Sequence, residues 1–120
     1  MQFMLIYQEA SGDFARREDP KQQPAYMEAW MGYIGAQREA GVWVSGSGLL
    51  APHTGTTLRM RGGKRQVQDG PYADAKEHLG GFSIIEVPSL DAALDWAARS
   101  PASVNGSTEV RPVMPTVMPA

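Results

Sequence analysis

The sequence predicts an α+β fold, a ferredoxin-like split β-α-β arrangement in which an antiparallel sheet carries two helices on one face. Three observations carry that reading. Segments follow in the order strand, helix, strand, hairpin, strand, helix, strand. The strands around residues 3–7 and 80–87 are apolar on both faces, the pattern of central strands covered on both sides. Gly62-Gly63 lies between two β-patterned runs and is the signal for a two-residue type I′ turn.

Taken in order, the first strand is Phe3-Met4-Leu5-Ile6-Tyr7. Residues 9–23 are polar and without hydrophobic period, so they read as a long connection, either a flap or a segment folded over something. A helix begins at Pro24, which is tolerated at the first helical position, and Met27, Trp30, Met31 and Ile34 form its apolar stripe. Gly41 closes it, and Gly32 and Gly35 suggest close packing along that helix, since each weakens it by about 1 kcal/mol relative to Ala. Residues 42–45 start a second strand, and a loop over 49–55 contains His53.

The hairpin register follows from the turn: Arg61 faces Lys64, Met60 faces Arg65, Leu58 faces Val67 and Thr56 faces Asp69. Asp69 therefore shares the face of Leu58, Met60 and Val67, which reads as the inward one. The strand over 80–87 should neighbour the first. Ser89 caps a second helix with Leu90, Ala93, Leu94 and Ala97 as its buried stripe. In the last strand Pro112 lacks a ladder donor, which implies an edge. Residues 114–120 have no period and form a flexible or partner-crossing tail.

At 120 residues the chain is expected to be one domain over 1–120, long enough to hide roughly two-thirds of its unfolded surface. A formal charge of −2 and a pI near 5.6 argue against a nucleic-acid partner. The absence of cysteine excludes a thiol nucleophile and suits a reducing compartment, so the cytoplasm is the expected location. Apolar runs are too short to span a membrane and the start lacks the character of a signal peptide. No phosphate loop, dinucleotide fingerprint or G-x-S-x-G elbow occurs, so no cofactor is expected. His53 and His78 lack metal-ligand spacing, so no metal is expected either. Two helices cover one sheet face only, and the two-sided apolar strands then call for a second copy of the chain: a homodimer.

The run Asp69-Gly70-Pro71-Tyr72-Ala73-Asp74-Ala75-Lys76-Glu77-His78-Leu79-Gly80-Gly81-Phe82 resembles the DGPF signature (DGPFAETKE) of the YCII-related family. The resemblance runs over nearly the whole chain and implies a dimeric α+β barrel. It also implies proximity of such genes to sigma-factor genes, hence a small-ligand-binding or regulatory dimer. The alternative it implies is a cofactor-free isomerase or lyase acting on a small cyclic or aromatic substrate. Asp69 is the candidate general acid/base, because a carboxylate entering an apolar face is desolvated; equally, Asp before Gly-Pro can cap its own turn. In the wider family a His at the start of the first helix pairs with the Asp at this position. Here Tyr26 stands at that place, and a phenol is a poor base at neutral pH. Tyr7, Tyr26, Trp30, Tyr72, His78, Gly70 and Pro71 are the expected ligand-pocket residues.

Overall fold

The computed structural model describes residues 1–70 and 75–115. A four-stranded antiparallel sheet has the order β2 (Trp43–Gly48), β5 (Glu77–Glu86), β1 (Gln2–Ala10), β6 (Ser107–Pro112). This is the predicted split β-α-β topology: β1 is central, β5 lies beside it, and β6 with Pro112 is an edge. Between the strands run helices α1 (Ser11–Glu18), α2 (Gln23–Glu39), α3 (Leu90–Ala98) and the short α4 (Ala102–Asn105). No described helix is long and apolar enough to cross a membrane.

Period-two alternation along β1 sends Phe3, Leu5, Tyr7 and Glu9 to the helix side, where all four are buried. There the first three join Ile85, Val87, Tyr33, Ala93, Ala97 and Ala102 in one core. Met4, Ile6 and Ile84 point to the other side, which no described helix covers, and are only half-buried.

The segment after β1 departs from the expected connection. Residues 11–18 form α1, which Phe14 anchors by burial and Asp13 by accepting from Asn105 Nδ2 at 3.1 Å. Phe14 is its one buried apolar side chain and its other ties, through Asp13 and Arg17, are polar, which leaves no hydrophobic period. The buried face of α2 differs as well: Tyr26, Tyr33 and Gln37 are inside, Trp30 and Ile34 half-buried, and Met27 and Met31 are 41% and 69% exposed. Burying a polar tip costs less once it is bonded: Tyr33 Oη donates to Trp96 O at 2.8 Å and Gln37 Nε2 to Tyr7 Oη at 3.1 Å, while Gln37 Oε1 finds no partner among the described residues. In α3 only Ala93 and Ala97 of the expected stripe are buried, because these small residues let the helix sit close on the sheet and leave Leu90 and Leu94 outside.

Caps and turns follow local chemistry. Ser89 Oγ accepts from Ala92 N at 3.1 Å, Gly41 ends α2 at φ +73°, and Gly62 and Gly63 take φ +57° and +75° in the hairpin turn. A Cβ added at Gly32 or Gly35 would meet nothing within 4 Å, so among the described residues the close packing expected along α2 is absent. Gly32→Ala should therefore raise stability by about 1 kcal/mol, read as a higher urea midpoint. A lower midpoint would mean that this side of α2 is occupied by another chain.

β3 (Thr56–Arg61) and β4 (Lys64–Asp69) pair in the predicted register at all six positions, but as a separate two-stranded sheet. Their expected inward face is open: Leu58, Met60 and Val67 are 48%, 52% and 58% exposed, and Asp69 is exposed beside them. A two-stranded ribbon has no second layer of its own. The radius of gyration of 16.4 Å exceeds the roughly 14 Å of a compact chain of this length, consistent with a hairpin standing away from the main sheet.

Candidate functional site

Glu9 follows Tyr7 on the helix side of β1 and is 1% exposed. A carboxylate so placed is tolerable only if paired and hydrogen-bonded. The last turn of α1 supplies the partner. Arg17 Nη2 donates to Glu9 Oε2 at 2.5 Å and to Gly80 O at 3.3 Å, Nε donates to Tyr26 Oη at 2.8 Å, and Nη1 donates to Leu49 O. Tyr26 Oη in turn donates to Glu9 Oε1. The guanidinium also lies 4.7 Å from the Phe14 ring centroid. Five chain segments, β1, α1, α2, β5 and the stretch after β2, thus meet at one buried ion pair.

The last part of the signature run, Gly80-Gly81-Phe82, is shaped by this arrangement. A Cβ on Gly80 would fall 1.7 Å from Glu9 Oε2 and 3.1 Å from Arg17 Nη2, so the missing side chain is the space the carboxylate occupies. Gly46 and Gly81 have a different reason: a Cβ on either would strike the facing strand's carbonyl oxygen, at 2.6 Å (Phe82) and 2.7 Å (Ser47). Both allow the close approach of β2 and β5.

This network forms one end of an open cavity of about 700 Å³ running along α2. Trp30, Met27, Met31 and Ile34 line it from the helix, and Gly46, Ser47, Gly48 and Trp43 from β2, with Leu49, Leu50 and Gly80-Gly81-Phe82 completing it. Tyr7 and Trp30 meet edge-on at 4.8 Å between centroids, and Trp30 and Tyr33 at 6.0 Å, so the aromatic wall is braced. Behind it Tyr7 Oη and Ser83 Oγ share a hydrogen bond of 2.7 Å.

Burial raises the pKa of Tyr26 well above the ordinary phenol range, helped by its bond to Glu9; burial likewise raises Tyr7 and Tyr33. At neutral pH these phenols are donors and acceptors, not bases. The unfolded chain releases such protons near pH 10 while the folded chain retains them. Their stabilisation is therefore complete below about pH 10 and is lost as pH climbs through the folded values. Urea denaturation should show stability falling above about pH 10, with a shallower fall in Tyr26→Phe; an unchanged slope would mean that the Tyr26 phenol is not protected by folding.

Of the expected pocket residues, Tyr7, Tyr26 and Trp30 come together in the cavity. His78 is half-buried on β5 opposite Glu9 and does not line it. Gly70 is half-buried with its N–H bonded to Gly55 O at 2.7 Å, away from the cavity, and Asp69 is exposed on the hairpin. Pro71 and Tyr72 lie outside the described residues. His53 is exposed, and among the described residues no three His, Asp or Glu side chains gather as a metal site. Glu9 and Arg17 were not singled out from the sequence. Their signal was present: alternation from Phe3 through Leu5 and Tyr7 carries Glu9 inward, and a buried carboxylate requires a nearby cation.

The solved structure of 5-chloro-2-hydroxyhydroquinone dehydrochlorinase from Burkholderia phenoliruptrix AC1100, in complex with 2,5-dihydroxybenzoquinone, is similar in fold, with a TM-score of 0.54 over 95% of this chain and 94% of that one, at 19% identity. An uncharacterized protein, R00369, of Rhizobium meliloti (strain 1021) is 48% identical over 68 residues. That match takes in 53% of this chain and only about half, 54%, of the relative. The model of the YCII-related domain matches residues 1–117, and the chain therefore belongs to the YCII-related family.

Proposed function

We propose that this protein is a homodimer that binds a small, flat organic molecule in the cavity along α2. The observation that carries the reading is the cavity itself: about 700 Å³, walled by Trp30, Tyr7, Met27 and Met31, and closed at one end by the buried Glu9–Arg17–Tyr26 network. Binding is favoured over turnover because the polar groups at that end are committed to one another and the phenols hold their protons. The dimer is supported by the half-buried Met4, Ile6 and Ile84 face and by the open Leu58, Met60 and Val67 face of the hairpin, which a second copy would cover.

One observation favours a second reading, a cofactor-free isomerase or lyase with Asp69 as general acid/base: the fold is shared almost end to end with a dehydrochlorinase bound to a small ring. Asp69 would then have to reach a pocket completed by the partner chain. The DGPF assignment and a regulatory role belong to the same proposal, as does the single domain over 1–120 with a terminal tail.

A thermal-shift and calorimetric series with 2,5-dihydroxybenzoquinone and related hydroquinones tests the reading. A ligand at about 100 times its Kd stabilises by roughly 2.7 kcal/mol. Gly35→Phe adds a ring to a cavity-lining position where a Cβ has open space, and should weaken binding at least about tenfold (roughly 1.4 kcal/mol) without lowering the Tm. Asp69→Asn should keep ligand affinity. No shift with any flat ring, or a sedimentation mass equal to the 13.0 kDa protomer, would sink the corresponding half of the proposal.

A further inference from the structure

Among the described residues, the charged ones lining the cavity are Glu9, Arg17 and Arg38. Glu9 and Arg17 neutralise each other through the 2.5 Å bond at one end. Arg38 stands in the last turn of α2, twelve residues beyond Tyr26, which places it about 18 Å along the helix from that network at 1.5 Å per residue. Its position near the helix C-terminus suits a cation, but that accounts for the charge and not for the side chain's direction. The guanidinium carbon lies 4.1 Å from the Trp43 ring centroid. Stacking of this kind uses the face of the group and leaves its in-plane N–H donors available. Among the described residues, no carboxylate pairs with the Arg38 guanidinium and no acceptor takes a hydrogen bond from it.

We propose that the cavity selects organic anions: a flat ring held against Trp30 and Ile34, with an acidic group a short chain away received by Arg38. The inference rests on the small-ligand reading above and adds the ligand's chemical class. Charge-assisted bonds from a fixed guanidinium suit a carboxylate, which can accept two of its N–H groups at once. The far end is already neutral and its donors are used, so a second acidic group there would meet no free cation. One acid per ligand, at the Arg38 end, is what the charge distribution favours.

Cinnamate and its methyl ester form a matched pair of probes, equal in ring and chain and differing in charge. Titration calorimetry at neutral pH should show the acid binding at least tenfold more tightly than the ester, with the preference reduced by added salt. Arg38→Gln should reduce the preference to about twofold while leaving the ester's affinity unchanged. Arg99→Gln, a stacked arginine outside the cavity, should leave both untouched. Equal affinity of acid and ester, or a preference that survives Arg38→Gln, overturns the inference. Binding of an uncharged hydroquinone with no binding of cinnamate overturns it too while the small-ligand reading stands; failure of every probe removes both.

Discussion

Replacing Arg17 with Met is expected to lower the unfolding free energy by about 3–5 kcal/mol, because it leaves a buried carboxylate without its cation. Glu9 is 1% exposed, and of its two partners only Arg17 carries charge. Truncation would also remove the bonds to Gly80 O, Leu49 O and Tyr26 Oη, through which α1 is tied to β5, the β2 end and α2. The double variant Glu9→Leu/Arg17→Met should recover most of the loss, since apolar residues of similar volume can replace a buried pair at little cost. Urea denaturation of the two variants checks both statements. A loss under about 1 kcal/mol for Arg17→Met would place the pair among surface ion pairs and remove the electrostatic basis of the site.

Gly80→Ala should be nearly as damaging, at about 3 kcal/mol, by a steric route to the same network. The new methyl would fall 1.7 Å from Glu9 Oε2 and 2.7 Å from Glu9 Cδ. A free carboxylate would swing aside, but this one is held by Arg17 and Tyr26, so moving it breaks both contacts inside the protein. The variant should lose ligand affinity together with stability, and Tyr26 should ionise closer to pH 10 once parted from Glu9, as tyrosinate absorbance would record. Retention of wild-type stability would show that the glycine answers to the backbone of its own strand and not to the carboxylate. By contrast, a Cβ at Gly48, on the neighbouring strand and paired with Gly81, has open space and alanine there should be tolerated.

Much of the architecture is legible in residue order. The hairpin pairing from Thr56 opposite Asp69 to Arg61 opposite Lys64 follows from Gly62-Gly63, because a two-residue turn leaves one register. Ser89 and Gly41 mark helix ends through bonds and dihedrals made within a few residues. The edge position of β6 follows from Pro112, and the centrality of β1 from its apolar run. The family resemblance rested on a contiguous stretch and needed no folding to be seen. Less legible was α2. Hydropathy selected Met27 and Met31, whereas the buried face holds Tyr26, Tyr33 and Gln37, whose donor groups find partners on β1 and α3.

The site lies on the far side of that limit. Tyr26 and Trp30 could be named because one helix carries both, and Tyr7 because it ends an apolar run. Asp69 drew attention through a face that pairing defines but that no described residue covers. Strand pairing, turn type and capping are interactions between near neighbours, so composition and spacing suffice to specify them. The meeting of Glu9, Arg17, Tyr26 and Gly80 joins positions up to 71 residues apart in number and satisfies a charge whose burial no local pattern records. Desolvation is a property of the packed chain, and it is desolvation that turns those four residues into one end of the cavity along α2.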